Sequence, residues 1–561
     1  MAEFLKLKKT NCKNCYKCIR HCPVKSIRFS GNQAHIVADE CILCGRCYVF
    51  CPQNAREIVD EIELTEVLLG GDQPVIASVA PSFRAYFEGI GFEALKDALL
   101  KLGFAGAEET ALGATMVKRE YERLLKEGSR DVIITSCCHT VNLLIEKYFP
   151  SLLGCLAPVK SPMQAHCEDI KRRVPGAATV FIGPCLSKKD EAYSASIDAA
   201  LTFDELSTML ARQGITLEKS ANKGAQAGEG RARMFPVAGG IIGSMTYKNP
   251  DFTYLTVDGI DNCIAVLRDL ESGGLSRCFV EMSSCTGSCI GGPIMEKYRN
   301  LPVRHYCAVV SYAGERDFDL PQPDPSALYI ERLARVPKRE TPTEEEIAEI
   351  MRKMGKLSPA NILNCGTCGY DTCREKAIAI WQGKAEISMC LPYLMEKSER
   401  FSNNILDNTP NGILVVNESL EVQDINPAAM RMLNISHKSD VLGEPVVRIM
   451  DPSPFLDALE GKKPVQGKMS YFAEYSRYLE QTMVYDRTSG CVILLLRDVT
   501  EEEKERAKKA ELSRQTIETA DRVVERQMRI VQEIASLLGE TVAETKIALT
   551  KLKESVEHDG Q

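Results

Sequence analysis

Apolar and polar residues alternate in three different ways along this chain. From about residue 74 to residue 320, short unbroken apolar runs (Pro74–Ala80, Val132–Thr135, Ala178–Ile182) are separated by longer amphipathic stretches. That pattern predicts strands covered on both faces by helices, an α/β domain. Beyond Asn403 the runs shorten to period two, as in Ile413-Leu-Val-Val-Asn417 and Val492-Ile-Leu-Leu-Leu496, which predicts an antiparallel sheet with one covered face. Residues Glu501–Glu557 contain no Pro and only Gly539. Ile517, Val524, Val531, Leu538 and Leu552 keep a seven-residue beat there, with Ala520, Ile534 and Ala548 three places later. This predicts one long helix with coiled-coil a and d positions, interrupted at Gln527 and Thr545 and flanked by Met528, Ala535, Val542 and Leu549. The same helix folded back on the preceding domain is the alternative.

A length of 561 residues exceeds what a single core organises, so several domains are expected. With 44% hydrophobic and 26% charged residues the composition is that of a globular protein. The net charge of −8 comes from 69 basic and 77 acidic residues that are spread along the chain, which argues against nucleic acid as a partner. No run of eighteen uncharged apolar residues occurs and the N-terminal stretch lacks an apolar segment. Neither a membrane span nor a signal peptide is therefore expected, and the expected location is the cytoplasm.

The 23 cysteines change this picture most. In a long chain bound for a reducing compartment, clustered thiols hold metal rather than form disulfides. Cys12-x2-Cys15-x2-Cys18-x3-Cys22-Pro23 is repeated as Cys41-x2-Cys44-x2-Cys47-x3-Cys51-Pro52. In this bacterial ferredoxin pattern the fourth cysteine crosses to the other cluster. Cys12, Cys15, Cys18 and Cys51 are thus assigned to one 4Fe–4S cluster, and Cys22, Cys41, Cys44 and Cys47 to a second; a pair of zinc knots is the alternative. A further set, Cys365-x2-Cys368-x4-Cys373-x16-Cys390, predicts another 4Fe–4S site, again with zinc as the rival. It suggests a second electron branch leading toward the C-terminal domain.

Cys137 and Cys138, Cys185, and Cys285 and Cys289 each follow an apolar run, so their loops are expected to meet at the carboxyl ends of strands. Thr135-Ser-Cys-Cys, Gly183-Pro-Cys-Leu-Ser-Lys-Lys-Asp-Glu191 and Glu281-Met-Ser-Ser-Cys-Thr-Gly-Ser-Cys-Ile-Gly-Gly-Pro293 resemble, in order, the three signature loops of the FeFe hydrogenases. Val79-Ala80-Pro81-Ser82 and Phe235-x3-Gly239-Gly240 fall where that family lines its site. The resemblance covers about residues 1–320. It implies that Cys138, Cys185, Cys285 and Cys289 bind the cubane of an H-cluster. Cys289 would also bridge to a diiron subcluster carrying CO, cyanide and a bridging dithiolate. It further implies that Lys188 donates to a cyanide, that Cys137 serves as acid and base, and that Ala80, Pro81, Ser82, Gly183, Phe235 and Ser283 line the pocket. The implied reaction is reversible cleavage of H2, with protons and an electron carrier such as ferredoxin as partners. For Cys137 a small buried hydrophobe, and for Lys188 a solvated surface lysine, are the plain alternatives. Cys155, Cys167, Cys263, Cys278, Cys307 and Cys491 have no matching partners and read as core or surface thiols.

The sequence departs from that family in ways that bear on rate. Gly183 and Ser283 stand where active members usually carry methionine, which is expected to open the pocket. His139 replaces the usual Pro after the cysteine pair. In Thr115-Met-Val-Lys-Arg-Glu-Tyr-Glu122, Lys118 and Tyr121 fall at the family's two carboxylate positions, with Glu120 or Glu122 available only if the register slips by one. Slow turnover and a sensory role are the expectation; a bulk ferredoxin-linked hydrogenase and a cluster relay without a diiron site are the alternatives.

Residues Leu406–Asn417 and Val422–Ala428, with the later Val492–Thr500, resemble a PAS domain, expected here to carry no cofactor. The whole is expected to be multidomain α/β: a two-cluster ferredoxin module at 1–60, an α/β H-cluster domain at 70–320, a 4Fe–4S domain at 345–398, an α+β PAS domain at 403–500 and a coiled-coil signalling helix at 501–557. A Pro-rich linker is expected at Leu320–Glu345. The output is expected to reach a kinase or phosphatase through a homodimer.

Overall fold

The computed structural model describes residues 4–8, 11–195, 197–219, 228–298, 301–461 and 465–558. Two compact units divide the chain, Met1–Leu394 and Met395–Gln561.

The first unit begins with a small module in which Leu5–Leu7 pairs antiparallel with Arg56–Ile58, and Ile27–Ser30 pairs with Gln33–Ile36. The short helices Lys17–Arg20 and Arg46–Val49 each carry the third cysteine of one motif. Each is entered through a left-handed residue, Tyr16 at φ 54° and Gly45 at φ 74°. At Gly45 only glycine fits, because a Cβ would lie 2.4 Å from Pro293 Cγ and 2.8 Å from Leu186 Cδ2. The two-cluster module thereby sits directly on the loops that carry Cys185 and Cys289.

The middle of the chain builds two parallel sheets. One runs Gly106–Glu109, Val75–Val79, Ala178–Gly183, Ala199–Thr202; the other Thr253–Asp258, Cys278–Ser283, Val132–Ile134. Val75–Val79 and Ala178–Gly183 are buried at every position, as unbroken apolar runs require in a sheet covered on both faces. Cys137 and Cys138 follow the end of Val132–Ile134, Cys185 follows Ala178–Gly183, and Cys285 follows Cys278–Ser283. Three strand ends from two sheets therefore deliver the three signature loops to one crevice.

Residues Leu320–Glu345 are not a free tether. Arg335 N donates to Glu146 O at 2.8 Å, Arg332 pairs with Glu146 at 3.2 Å, and Arg339 pairs with Glu40 and donates to Val24 O at 2.8 Å. This strap ends at Thr343, whose side chain caps the helix Glu344–Lys353. The helix Cys373–Trp381 follows within the third cysteine set. Cys368, Tyr370 and Met389 belong to the same continuous core as Ile19, Cys22 and Phe29.

In the second unit, a five-stranded antiparallel sheet has the order Val422–Ile425, Gly412–Asn417, Cys491–Asp498, Arg477–Asp486, Lys468–Phe472. Leu414, Val416, Leu479, Met483, Val492, Leu494 and Leu496 project from one face onto Phe455 and the helix Pro427–Met432, as the period-two pattern predicts. Thr500–His558 is a single helix of 59 residues, about 88 Å long at 1.5 Å per residue. Ile517, Val524, Val531 and Leu538 on it are exposed.

Asn426 ties this unit together. Its Oδ1 accepts from Ala429 N at 2.9 Å and Ile413 N at 2.8 Å, and its Nδ2 donates to Leu406 O and Asn411 O at 2.9 Å. It caps one helix while joining the preceding helix Leu391–Asn408 to the sheet. Asn426→Ala is expected to destabilise this unit by about 3 kcal/mol, since a cap and buried backbone partners are lost together. Denaturant unfolding followed by circular dichroism measures it, and a loss under about 0.5 kcal/mol would contradict the assignment.

Candidate functional site: cysteine-lined cavities and a buried crevice

Three cavities are each lined by four cysteines. Cys22, Cys41, Cys44 and Cys47 line the first, Cys12, Cys15, Cys18 and Cys51 the second, and Cys365, Cys368, Cys373 and Cys390 the third. Among the described residues no three His, Cys, Asp or Glu side chains are close enough to hold one ion; each set rings a void, and a four-iron cube carries its thiolates at its outer corners. Burial pushes the Cys41 thiol up to about 11 and the Cys44 thiol up to about 12, with Cys22 adding to both. Such thiols ionise only when a metal compensates the charge. The donor sets fit iron–sulfur clusters.

In the crevice, the thiols of Cys138, Cys185, Cys285 and Cys289 lie within electrostatic reach of one another. Ser284 Oγ is 3.6 Å from Cys138 Sγ and 3.7 Å from Cys285 Sγ, and Ser187 Oγ is 3.1 Å from Cys185 Sγ. Cys263 is buried and donates to Ser283 O at 3.2 Å, and Cys138 adds to the upward push on its thiol. The sequence reading treated it as an ordinary core thiol.

Lys188 Nζ donates to Cys137 O at 3.0 Å and forms an ion pair with buried Glu191. Burial disfavours its charge, but Glu191 and the Cys185 and Cys137 thiols outweigh burial and keep the ammonium protonated. Two of its three N–H groups are engaged, which leaves one for a ligand. Cys137 Sγ is 3.2 Å from Tyr121 OH, which is 3.0 Å from Ser136 Oγ; Ser136 Oγ donates to Val159 O at 2.6 Å. Burial pushes the Cys137 thiol up to about 12, against the Tyr121 hydrogen bond and the Lys188 charge. Phe235 packs in the same apolar cluster as Cys137 and Tyr121. Ala80 and Ser82 are buried and Pro81 lies between them; Ser82 Oγ has no partner, a buried polar atom left for something not of the protein.

Two expectations are corrected here. The crevice is not opened at Gly183. A Cβ there would lie 2.6 Å from the Phe181 ring and 3.4 Å from Ala80 Cβ. Phe181, two residues earlier on the same strand face, fills the space. A slipped register is also excluded. Glu120 is paired with Arg123 at 2.6 Å, and Glu122 accepts from Thr246 N at 2.6 Å. Lys118 is fully buried in an ion pair with Asp317, 3.3 Å from Ser244 O. Of this helix it is Tyr121 that reaches Cys137.

Two acidic elements were not singled out from the sequence. His139 Nε2 is 2.9 Å from Asp190 Oδ2, while its Nδ1 is unpartnered. Glu281 is buried and accepts from Ile242 N at 2.9 Å, within electrostatic reach of Cys137. No short motif marks Glu281, because only the parallel pairing beside Thr253–Asp258 and the helix start at Gly240 bring its partners together.

A fold of this kind with these cysteine sets defines an iron–sulfur redox protein. The family model for the iron-only hydrogenase large subunit, C-terminal domain, matches residues 73–293; a 4Fe-4S dicluster domain matches 4–60, an Fe-S cluster family 363–392 and the PAS fold 400–499. The chain is 28% identical over 368 residues to the periplasmic [Fe] hydrogenase large subunit of Nitratidesulfovibrio vulgaris, covering 52% of this chain and 87% of that one. It is 26% identical over 322 residues to the HndD subunit of the NADP-reducing hydrogenase of Solidesulfovibrio fructosivorans, covering 45% of this chain and 55% of that subunit's length. A solved [FeFe]-hydrogenase HydA1 from Chlamydomonas reinhardtii aligns at 16% identity and a TM-score of 0.39, over 50% of this chain and all of that one. The chain belongs to the FeFe hydrogenase family and carries a PAS domain. Among the described residues no helix is long and apolar enough to cross a membrane.

Burial pushes the Glu281 carboxyl up to about 7, against the N–H groups of Ile242, Gly239, Ile241 and Gly240. The folded state therefore holds this proton more tightly than the unfolded chain. Its contribution to stability is complete below the ordinary carboxylate range and is lost as pH rises through about 7. Glu281→Gln is expected to remove about 3 kcal/mol of this pH dependence. Denaturant unfolding of both proteins at several pH values between about 4.5 and 8 tests it, and parallel stability–pH curves would refute it.

Proposed function

We propose that this chain is a sensory hydrogenase. It cleaves H2 reversibly and slowly at an H-cluster, and it passes the redox change through its iron–sulfur clusters to the PAS domain and the C-terminal helix. Cys138, Cys185, Cys285 and Cys289 would hold the cubane, with Cys289 the bridge to the diiron part. When bound, the diiron subcluster with its CO, cyanide and dithiolate ligands supplies the heterolytic cleavage of H2. Cys137 holds a proton beside it as a neutral thiol. Lys188, oriented by Glu191 and Cys137 O, presents its remaining N–H to an anionic ligand. Ala80, Pro81, Ser82, Gly183, Phe235 and Ser283 would line the pocket, with the Phe181 ring over Gly183.

One observation carries the slow, sensory reading: a phenol, not a carboxylate, is hydrogen-bonded to Cys137 at 3.2 Å. Burial first, then Cys137, pushes the Tyr121 hydroxyl well above its ordinary value, so near neutral pH it gives up its proton reluctantly. Lys118, at the other family position, is sealed against Asp317. A bulk ferredoxin-linked enzyme would need a faster proton path than these two residues supply. An electron carrier such as ferredoxin remains the partner expected for the two-cluster module.

Anaerobic maturation followed by infrared spectroscopy is expected to show bands of metal-bound CO and cyanide that disappear in Cys289→Ala. H2 oxidation is expected to be at least about tenfold slower than in a bulk hydrogenase, a barrier about 1.4 kcal/mol higher. Absent bands would remove the H2 chemistry; fast turnover would remove the sensory reading and leave the bulk enzyme.

The output requires a second copy of this chain. A lone helix of 59 residues with an exposed apolar stripe is marginal in water, while a second copy in register covers a and d positions. A kinase or phosphatase would read the paired helices. Val531→Glu with Leu538→Glu is expected to convert a dimer to a monomer in sedimentation equilibrium; a dimer of unchanged strength would place the contact elsewhere.

A further inference from the structure

The third cysteine set packs against the two-cluster module with unusual closeness. Gly369, at φ +93°, lies where a Cβ would be 3.0 Å from Ile19 Cβ and 3.2 Å from Arg20 N, so only glycine permits this approach. The contact is pinned on both sides. Arg20 Nη2 donates to Thr367 O at 3.0 Å, Lys25 Nζ donates to Gly369 O at 3.0 Å, and Lys25 pairs with Asp371 at 3.5 Å. Phe29 N donates to Lys384 O at 2.7 Å, and Lys384 Nζ is 2.6 Å from Glu40. These partners come from the segments that carry Cys22 and Cys41 on one side and Cys365, Cys368 and Cys390 on the other.

Tyr370 sits in this seam. It is buried, lines the cavity of the third set, and lies within electrostatic reach of both Cys368 and Cys22. Its hydroxyl has no hydrogen-bond partner. Lys376 is fully buried, lines the same cavity, donates to Glu386 O at 2.7 Å, and holds its Nζ 5.5 Å from the centre of the Tyr370 ring. A buried cation beside a group whose negative charge grows on reduction stabilises the reduced form.

We propose that the contact of Gly369 and Tyr370 with the Cys22 side of the two-cluster module makes the third cysteine set an electron branch of that module, and that Lys376 draws the electron into it. The inference rests on the iron–sulfur reading of these sets and not on the H2 reading. One electron crosses the seam: the cluster on Cys22, Cys41, Cys44 and Cys47 loses it and is oxidised, and the cluster on Cys365, Cys368, Cys373 and Cys390 gains it and is reduced. No bond breaks and no proton is required.

The test uses the full chain reconstituted with iron and sulfide, without the diiron part, and titrated with dithionite. Electron paramagnetic resonance of the third cluster is expected to show faster relaxation once the Cys22-set cluster is reduced. That change is expected to weaken in Gly369→Leu and to vanish in the doubly substituted Cys365→Ser, Cys373→Ser chain, whose iron content must also fall. Lys376→Met is expected to shift the third cluster's midpoint potential to more negative values and leave the other clusters where they were. Relaxation in the wild-type chain that is indifferent to the state of the Cys22-set cluster overturns the branch, even if Gly369→Leu fails to fold. An unmoved potential in Lys376→Met overturns the role of the lysine. Iron content unchanged by the double cysteine substitution would instead strike at the cluster reading itself.

Discussion

Four thiols facing one void repel one another once ionised, and this repulsion governs the first unit. The Cys41 and Cys44 thiols are held up to about 11 and about 12 by burial and by their neighbour Cys22. Without a positively charged core such a set gains nothing from proximity; with one, the same proximity becomes four bonds. Folding and cluster binding are thereby linked, because the backbone that gathers the thiols is stabilised by what they hold. The left-handed entries at Tyr16 and Gly45 and the seam at Gly369 follow from that demand. In each case the chain must turn sharply or approach closely to aim sulfur at a shared centre.

A second consequence is rigidity between sites. Gly45 against Pro293 and Leu186, and Gly369 against Ile19, join three cysteine-bearing regions through contacts that admit no side chain. Residues of all three share one core. The strap ahead of the third set adds charged ties at Glu146 and Glu40, whose partly buried geometry makes them stronger than surface pairs. Electron movement depends on fixed separations, and a single core fixes them better than domains on flexible linkers.

Much of this was legible in the sequence. The repeated cysteine spacings, the unbroken apolar runs at Val75–Val79 and Ala178–Gly183, and the period-two strands of the second unit all report local rules. What escaped was set by tertiary pairing. Composition marks Leu320–Glu345 as a linker because Pro and charge look the same in a tether and in a strap; only the distant Glu146 and Glu40 distinguish them. Glu281 looks like any strand glutamate until its pairing with the Gly239–Ile242 backbone is seen. Gly183 reads as an absence of side chain, and the Phe181 ring that takes its place lies on the same strand but is invisible to a motif comparison.

The Tyr121 contact shows how the same helix can keep its place and change its chemistry. Helix Ala111–Glu127 turns Lys118 and Tyr121 to the interior, as a helix with residues three apart must. The fold tolerates both. Lys118 acquires Asp317 from a distant segment, and Tyr121 settles its hydroxyl on Ser136 and Cys137. Neither residue leaves a carboxylate beside the thiol, while Glu120 and Glu122 are spent on Arg123 and Thr246. Geometry is thus preserved at the position where proton affinity has changed, and proton affinity, unlike geometry, sets how often a thiol at Cys137 can be recharged. A site that binds its reactant but recharges slowly spends longer in each redox state, and a downstream domain can respond to an occupancy only if it lasts.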